Sequence, residues 1–141
     1  MKTSVYSILI LLAIFLFTGC EKEETPYVNE NDRLYIGYWE ETGRTDSTTL
    51  FKRTADLADD KYAFGIFTDG TFIENKNAGF CGTPPITYAQ YDGVWLETSD
   101  DTLFVNTSYW GGEMDFNLII KSVSYSKLEV KMENIRMDIT E

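Results

Sequence analysis

Asp115–Met132 reads DFNLIIKSVSYSKLEVKM, and its period decides the fold. Leu128, Val130 and Met132 alternate with Lys127, Glu129 and Lys131, so apolar side chains share one face and charges the other. A half-buried β-strand needs that period of two, whereas an amphipathic helix repeats at three and four. Upstream, Phe116, Leu118 and Ile120 share one face of Asp115–Val123, and Ser124-Tyr125-Ser126 joins the two segments as a turn. Downstream the parity changes. Ile135, Met137 and Ile139 stand out of phase with Leu128, Val130 and Met132, so a straight strand would flip its buried face. A bulge or tight bend near Glu133-Asn134 is expected to restore it.

The same pattern runs back through the chain. Asp69-Gly70 lies between Tyr62–Thr68 and Thr71–Asn75, a hairpin signature because glycine adopts positive φ at low cost. Ser99-Asp100-Asp101 separates Tyr88–Glu97 from Thr102–Ser108, and Gly111-Gly112 breaks the chain before Asp115. With Leu34–Glu41 and Thr48–Arg53, seven or eight strands follow, ending in Lys127–Arg136; Asp56–Asp60 is read as a short helical turn. No segment after residue 33 sustains a helical period, and the short connections favour sequential antiparallel neighbours. The expected fold is all-β: a small antiparallel up-and-down barrel of about eight strands, which removes exposed edges. A β-sandwich is the alternative.

Composition excludes several functions. The chain has 141 residues, 12 basic and 23 acidic side chains, two cysteines and no histidine. One domain of ordinary size fits that length. Without histidine there is no Ser-His-Asp or Cys-His catalysis and no imidazole metal site. A formal charge of -11 disfavours nucleic acid, which needs a basic face. Acidic clusters at Asp56/Asp59/Asp60 and Asp100/Asp101 lack the spacing of a calcium loop. No nucleophile, cofactor or metal-ligand motif appears, so the expectation is a protein that is not an enzyme and carries no cofactor.

The N-terminus reads as an address. Lys2 precedes an apolar run, Val5–Phe17, of signal-peptide length. It ends at Phe17-Thr18-Gly19-Cys20, which resembles a bacterial lipobox and implies that Cys20 is acylated and becomes the first mature residue. Removing residues 1–19 takes away Lys2 and none of the 23 acids, leaving a charge of -12. Several acyl chains on Cys20 would anchor the protein firmly, where one chain binds only marginally. Glu21-Lys22-Glu23-Glu24 resembles the acidic surface-export signals of lipoproteins in the Bacteroidetes. The implied location is the outer membrane, facing the exterior, with the periplasmic face as the alternative. Residues 20–32, polar and containing Pro26, read as a flexible tether, and residues 33–141 as the barrel domain.

Gly37-Tyr38-Trp39 resembles the first-strand signature of lipocalins. In that family the Trp closes one end of the barrel and a late Arg packs across its ring, which implies the set Gly37, Trp39 and Arg136. Replacing Arg136 by Ala would then destabilise more than a surface change. The ensemble Phe67–Phe72, Tyr91–Trp95, Asp101-Thr102-Leu103 and Lys127–Val130 resembles the compact lipocalin-like lipoproteins of the Bacteroidetes over residues 34–133.

Two further stretches stand out as candidate contacts. Asn77–Tyr88 packs two glycines and two prolines around Cys81, a loop of defined shape. Phe80, Cys81, Pro84 and Pro85 would form its contacts, either as a recognition loop at the barrel mouth or as a shaped connection. With Cys20 acylated, Cys81 has no partner within the chain. It is then a reactive or intermolecular thiol, or a small buried hydrophobe. Tyr109 and Trp110 sit at a strand end beside a glycine turn, where a large aromatic is expected to reach solvent. The leading expectation is a lipid-anchored barrel holding a small hydrophobic molecule. The alternative is a non-enzymatic protein- or glycan-interaction module, which a filled barrel with exposed aromatics would favour.

Overall fold

Alternation along the strands becomes the inside and outside of one closed wall. The computed structural model describes residues 33–79 and 85–139, apart from the side chain of Ile139. Eight strands form: β1 (Gly37–Arg44), β2 (Thr49–Thr54), β3 (Ala63–Ile66), β4 (Thr71–Asn77), β5 (Tyr88–Ser99), β6 (Thr102–Tyr109), β7 (Gly112–Val123) and β8 (Lys127–Ile139). All pairings are antiparallel and the sheet closes into a barrel in the order β1-β2-β8-β7-β6-β5-β4-β3. β6 shows the rule: Leu103, Val105, Thr107 and Tyr109 are buried, and the residues between them are not.

From β3 to β8 the strands follow one another as an up-and-down meander. At the start they do not, because β1 lies between β2 and β3. The connection from Ala55 to Tyr62 must therefore pass β1. Asn75, which faces outwards on β4, holds it there by donating Nδ2 hydrogen bonds of 2.8 Å to the carbonyls of Ala58 and Lys61. Asn75 and its cross-strand neighbour Ala63 are buried under this strap although both face away from the lumen. Residues 56–60 accordingly form bends and not the expected helical turn. The Ala58 carbonyl is spent on Asn75 and the Asp56 carbonyl on the Thr54 hydroxyl, where a helix would have turned both along its own axis.

Two strand ends also differ from expectation. β1 begins at Gly37, not Leu34. Leu34 and Tyr35 form a turn closed by the Ile36 N–H on the Arg33 carbonyl at 2.9 Å, and Gly37 takes a φ of 128° that ends it. In β8 the anticipated irregularity is present. Asp115 pairs with Arg136 and Asn117 with Glu133, so Phe116 opposes both Asn134 and Ile135. Asn134 takes a φ of 56°, and Met137 recovers the face of Met132.

The lumen is filled by Trp39, Phe51, Phe64, Ile66, Phe72, Leu103, Val105, Phe116, Leu118, Leu128 and Val130, each 2% exposed or less. An eight-stranded barrel is just wide enough for its own side chains. Phe51 and Phe64 meet edge to face at 4.7 Å between centroids, and Phe64 stacks on Phe72 at 5.6 Å. The lower end carries the β3–β4, β5–β6 and β7–β8 hairpins; the upper end carries the β1–β2 and β6–β7 hairpins.

Candidate functional site

The lower end is sealed by Arg53. Arg53 shares the inward face of β2 with Phe51, and its guanidinium lies 4.3 Å over the Trp39 ring. Its Nη1 donates to the Ile36 carbonyl and its Nε to the Tyr125 carbonyl, both at 2.6 Å, and its Nη2 donates to Leu34. These bonds strap residues 33–36 beneath the barrel. Trp39 Nε1 donates to the Tyr35 carbonyl at 2.7 Å, and Tyr35 meets Trp95 edge to face. Arg33 lies over Trp95 and pairs with Glu97. A Cβ at Gly37 would collide with the Arg53 guanidinium, so glycine there admits the cation as well as the positive φ.

The barrel-closing set is thus Gly37, Trp39 and Arg53, which corrects the assignment of Arg136. Arg136 lies on the outer wall and makes a bidentate pair with Asp115, at 2.9 and 3.1 Å. The bulge at Asn134 puts it there: without the inserted residue, position 136 would share the inward face of Met132. The signal for Arg53 was its shared parity with Phe51.

Above the aromatic core the lumen turns polar. Glu74 and Lys76 follow Phe72 on the inward face of β4. Glu74 is 1% exposed, and it accepts hydrogen bonds of 2.6 Å from Lys76 Nζ and from the Tyr62 hydroxyl. The Lys76 ammonium lies 5.3 Å from the Tyr91 ring centroid. Burial drives the Tyr62 hydroxyl well above its ordinary pKa, and the Glu74 carboxylate adds to the shift. Both Glu74 oxygens are therefore satisfied, as a carboxylate held away from water requires. Sequence reasoning missed this cluster, although counting by two from Phe72 reaches both residues.

Part of the exposed apolar surface lies on the outer wall of β5. Val94 and Leu96 face outwards on β5 and are 60% and 56% exposed. Leu96 lies opposite Phe104 of β6, and Phe104 lies opposite Asn117 of β7. Beside this strip is a cleft of about 470 Å³ lined by Phe104, Asp115, Phe116, Asn117, Asn134 and Arg136. A second cleft, about 350 Å³, lies at the upper rim between Glu41, Arg44, Lys61, Tyr62 and Tyr88.

The candidate contacts divide. Trp110 is 48% exposed at the β6–β7 turn, whereas Tyr109 is buried and meets it edge to face at 5.6 Å. Tyr109 continues the inward parity of Thr107, so the expectation of solvent contact holds for Trp110 alone of the pair. Pro85 is exposed. Cys20, Phe80, Cys81 and Pro84 lie outside the described residues. Among the described residues, no group of three or more acidic or cysteine side chains is placed to hold a metal ion. No protein-family model, curated protein or solved structure matches the chain.

Proposed function

We propose that the chain is a lipid-anchored, non-enzymatic recognition module that binds a partner protein through its outer wall, on the exterior of the outer membrane. The observation that carries this reading is the contrast between the two faces of the sheet. The lumen is occupied by the chain's own aromatics below and by the Glu74–Lys76 pair above. The outer wall leaves Val94 and Leu96 in water next to Phe104. Val94 and Leu96, the two most exposed of the large hydrophobics on β5, together with Phe104 form a local apolar strip of the kind interaction surfaces use. Their flat, aliphatic character suits a protein surface better than a sugar ring, which favours aromatic platforms. A small hydrophobic guest in the lumen is the rival reading, and the buried ion pair counts against it.

The anchor supports the same reading. The Cys20 lipobox resemblance and the acidic tether keep the barrel near a membrane while leaving its wall free.

Photo-cross-linking residues placed at Val94, at Leu96 and at Lys52 on the opposite wall, in living cells, test the proposal. One discrete protein adduct from positions 94 and 96, absent from 52 and lost in a Phe104→Asp background, is the expected result. Adducts of equal yield at all three positions overturn it. So does a reproducible small-molecule mass on the purified chain, released by denaturation. Radiolabelled palmitate, incorporated by the parent and not by Cys20→Ala, tests the anchor.

A further inference from the structure

We propose that the upper half of β8 is a self-complementary edge through which two copies of this chain pair in antiparallel register. β2 covers β8 only from Lys127 to Val130, where Thr49 is its last partner. β7 pairs with β8 as far as Ile139 on the other side. Among the described residues, Lys131–Asp138 therefore keeps one edge with no strand beside it. An unpaired edge presents a row of backbone donors and acceptors to any strand that can align with it.

The side chains say which strand fits. From 131 to 138 the order is Lys, Met, Glu, Asn, Ile, Arg, Met, Asp. Laid antiparallel on its own copy about the point between Asn134 and Ile135, it sets Lys131 opposite Asp138, Met132 opposite Met137, and Glu133 opposite Arg136. Every charged pair is of opposite sign, and methionine meets methionine. Opposed residues in an antiparallel ladder must share a face. A regular strand cannot satisfy that in this register, because opposed residues would differ in parity. The bulge at Asn134 corrects it: Lys131, Glu133, Arg136 and Asp138 face outwards, and Met132 and Met137 face the lumen side. The irregularity in β8 is what makes the edge match itself under a two-fold axis.

Exposure is consistent with an uncovered contact. Ile135 and Met137 are each 55% exposed although their side of the strand is the lumen side. In the single chain, Lys131 is bonded to Glu133 of its own strand at 2.5 Å, and Arg136 to Asp115. These pairs hold the charges on the outer face, beside the edge, where a second copy would meet them. Edge strands carry charge to discourage pairing, but a charge order that mates with its own reverse does not discourage this partner. Beyond Asp138 the ladder stops, because position 139 of one copy would meet Val130 of the other, already held by Thr49. The two-fold axis sets the barrels head to head. Residues 20–32, about 40 Å when extended, allow both N-termini to reach one membrane with the pair lying flat.

Charge reversal tests it. The full chain is extracted from membranes into density-matched detergent, and its dimer fraction is read by sedimentation over about a hundredfold range of concentration. Lys131→Glu sets like charges opposite Asp138 at two equivalent places in the pair, and is expected to weaken association at least about tenfold. Asp138→Lys does the same. The double variant Lys131→Glu/Asp138→Lys restores opposite signs and is expected to recover dimerisation. Near-ultraviolet circular dichroism, reporting Trp39 and Trp95, checks that each variant is folded. A parent that is monomeric throughout overturns the proposal. So does a dimer that neither reversal weakens, or a double variant no better than the singles.

Discussion

Replacing Arg53 by alanine should cost far more stability than replacing Arg136, the reverse of what the family resemblance implies. Arg53 donates to three backbone carbonyls and lies over Trp39. Hydrogen bonds from a charged donor contribute about 1.5–3 kcal/mol each. Half-burial and shared geometry reduce the three together to about 2–3 kcal/mol, and the indole contact adds about 0.5–1. The expected loss is about 3 kcal/mol, or near 10 °C in Tm for a domain of this size. Arg53→Lys keeps the charge but loses the planar fork, and should recover only a minor part of it. The Arg136 side chain is 72% exposed, so its pair with Asp115 is screened and Arg136→Ala should behave as an ordinary surface change. Urea unfolding, followed by Trp fluorescence, measures each. A loss below about 1 kcal/mol for Arg53→Ala, or an equal loss for Arg136→Ala, refutes the reasoning.

Other outcomes follow from the lumen and the wall. Glu74→Ala leaves the Lys76 ammonium without its carboxylate and should destabilise by about 3 kcal/mol, while Glu74→Leu with Lys76→Met should regain most of that in the same unfolding assay. Tyr62 keeps its proton in the native barrel above the pH at which the unfolded chain releases it. Stability should therefore fall as pH rises above about 10, and Tyr62→Phe should flatten that slope by about 1.4 kcal/mol per pH unit. Unfolding curves taken between mildly and strongly alkaline buffers decide this. Gly93→Ala places a Cβ 2.5 Å from the Asn106 carbonyl oxygen, so the β5–β6 ladder must open, at a cost of about 2 kcal/mol and faster amide exchange at Val94 and Thr107.

The candidate site was legible where it depended on parity within one strand. Thr107 and Tyr109 belong to one face, and counting from Leu103 would have kept Tyr109 indoors. Glu74 and Lys76 are equally countable from Phe72, but an ionic side chain on an inward face runs against the usual preference, so parity alone does not assign them there. Arg53 and Arg136 show a different limit. Arg53 is placed inside by its parity with Phe51 on β2, whereas the face of Arg136 depends on where the bulge at Asn134 falls in β8. The outer strip of Val94, Leu96 and Phe104 needed the β5–β6 register, which no single segment contains.

What the sequence determined by itself was local: eight β segments, their buried faces, the Asp69-Gly70 and Ser124–Ser126 turns, and the irregularity at Glu133-Asn134. These follow from side-chain alternation and from the backbone freedom of turn residues, which act over two to four positions. Tertiary structure alone decided the order of closure. β1 could have neighboured β2 only, but it takes β3 as well, and the strap over Asn75 and the β2–β8 seam follow from that choice. Strand order is set by contacts between distant residues, each marginal alone and favourable only when the whole lumen is filled. For the same reason the free edge of β8 is invisible in the sequence: its charges are written there, but which of its sides lacks a neighbour depends on where β2 stops.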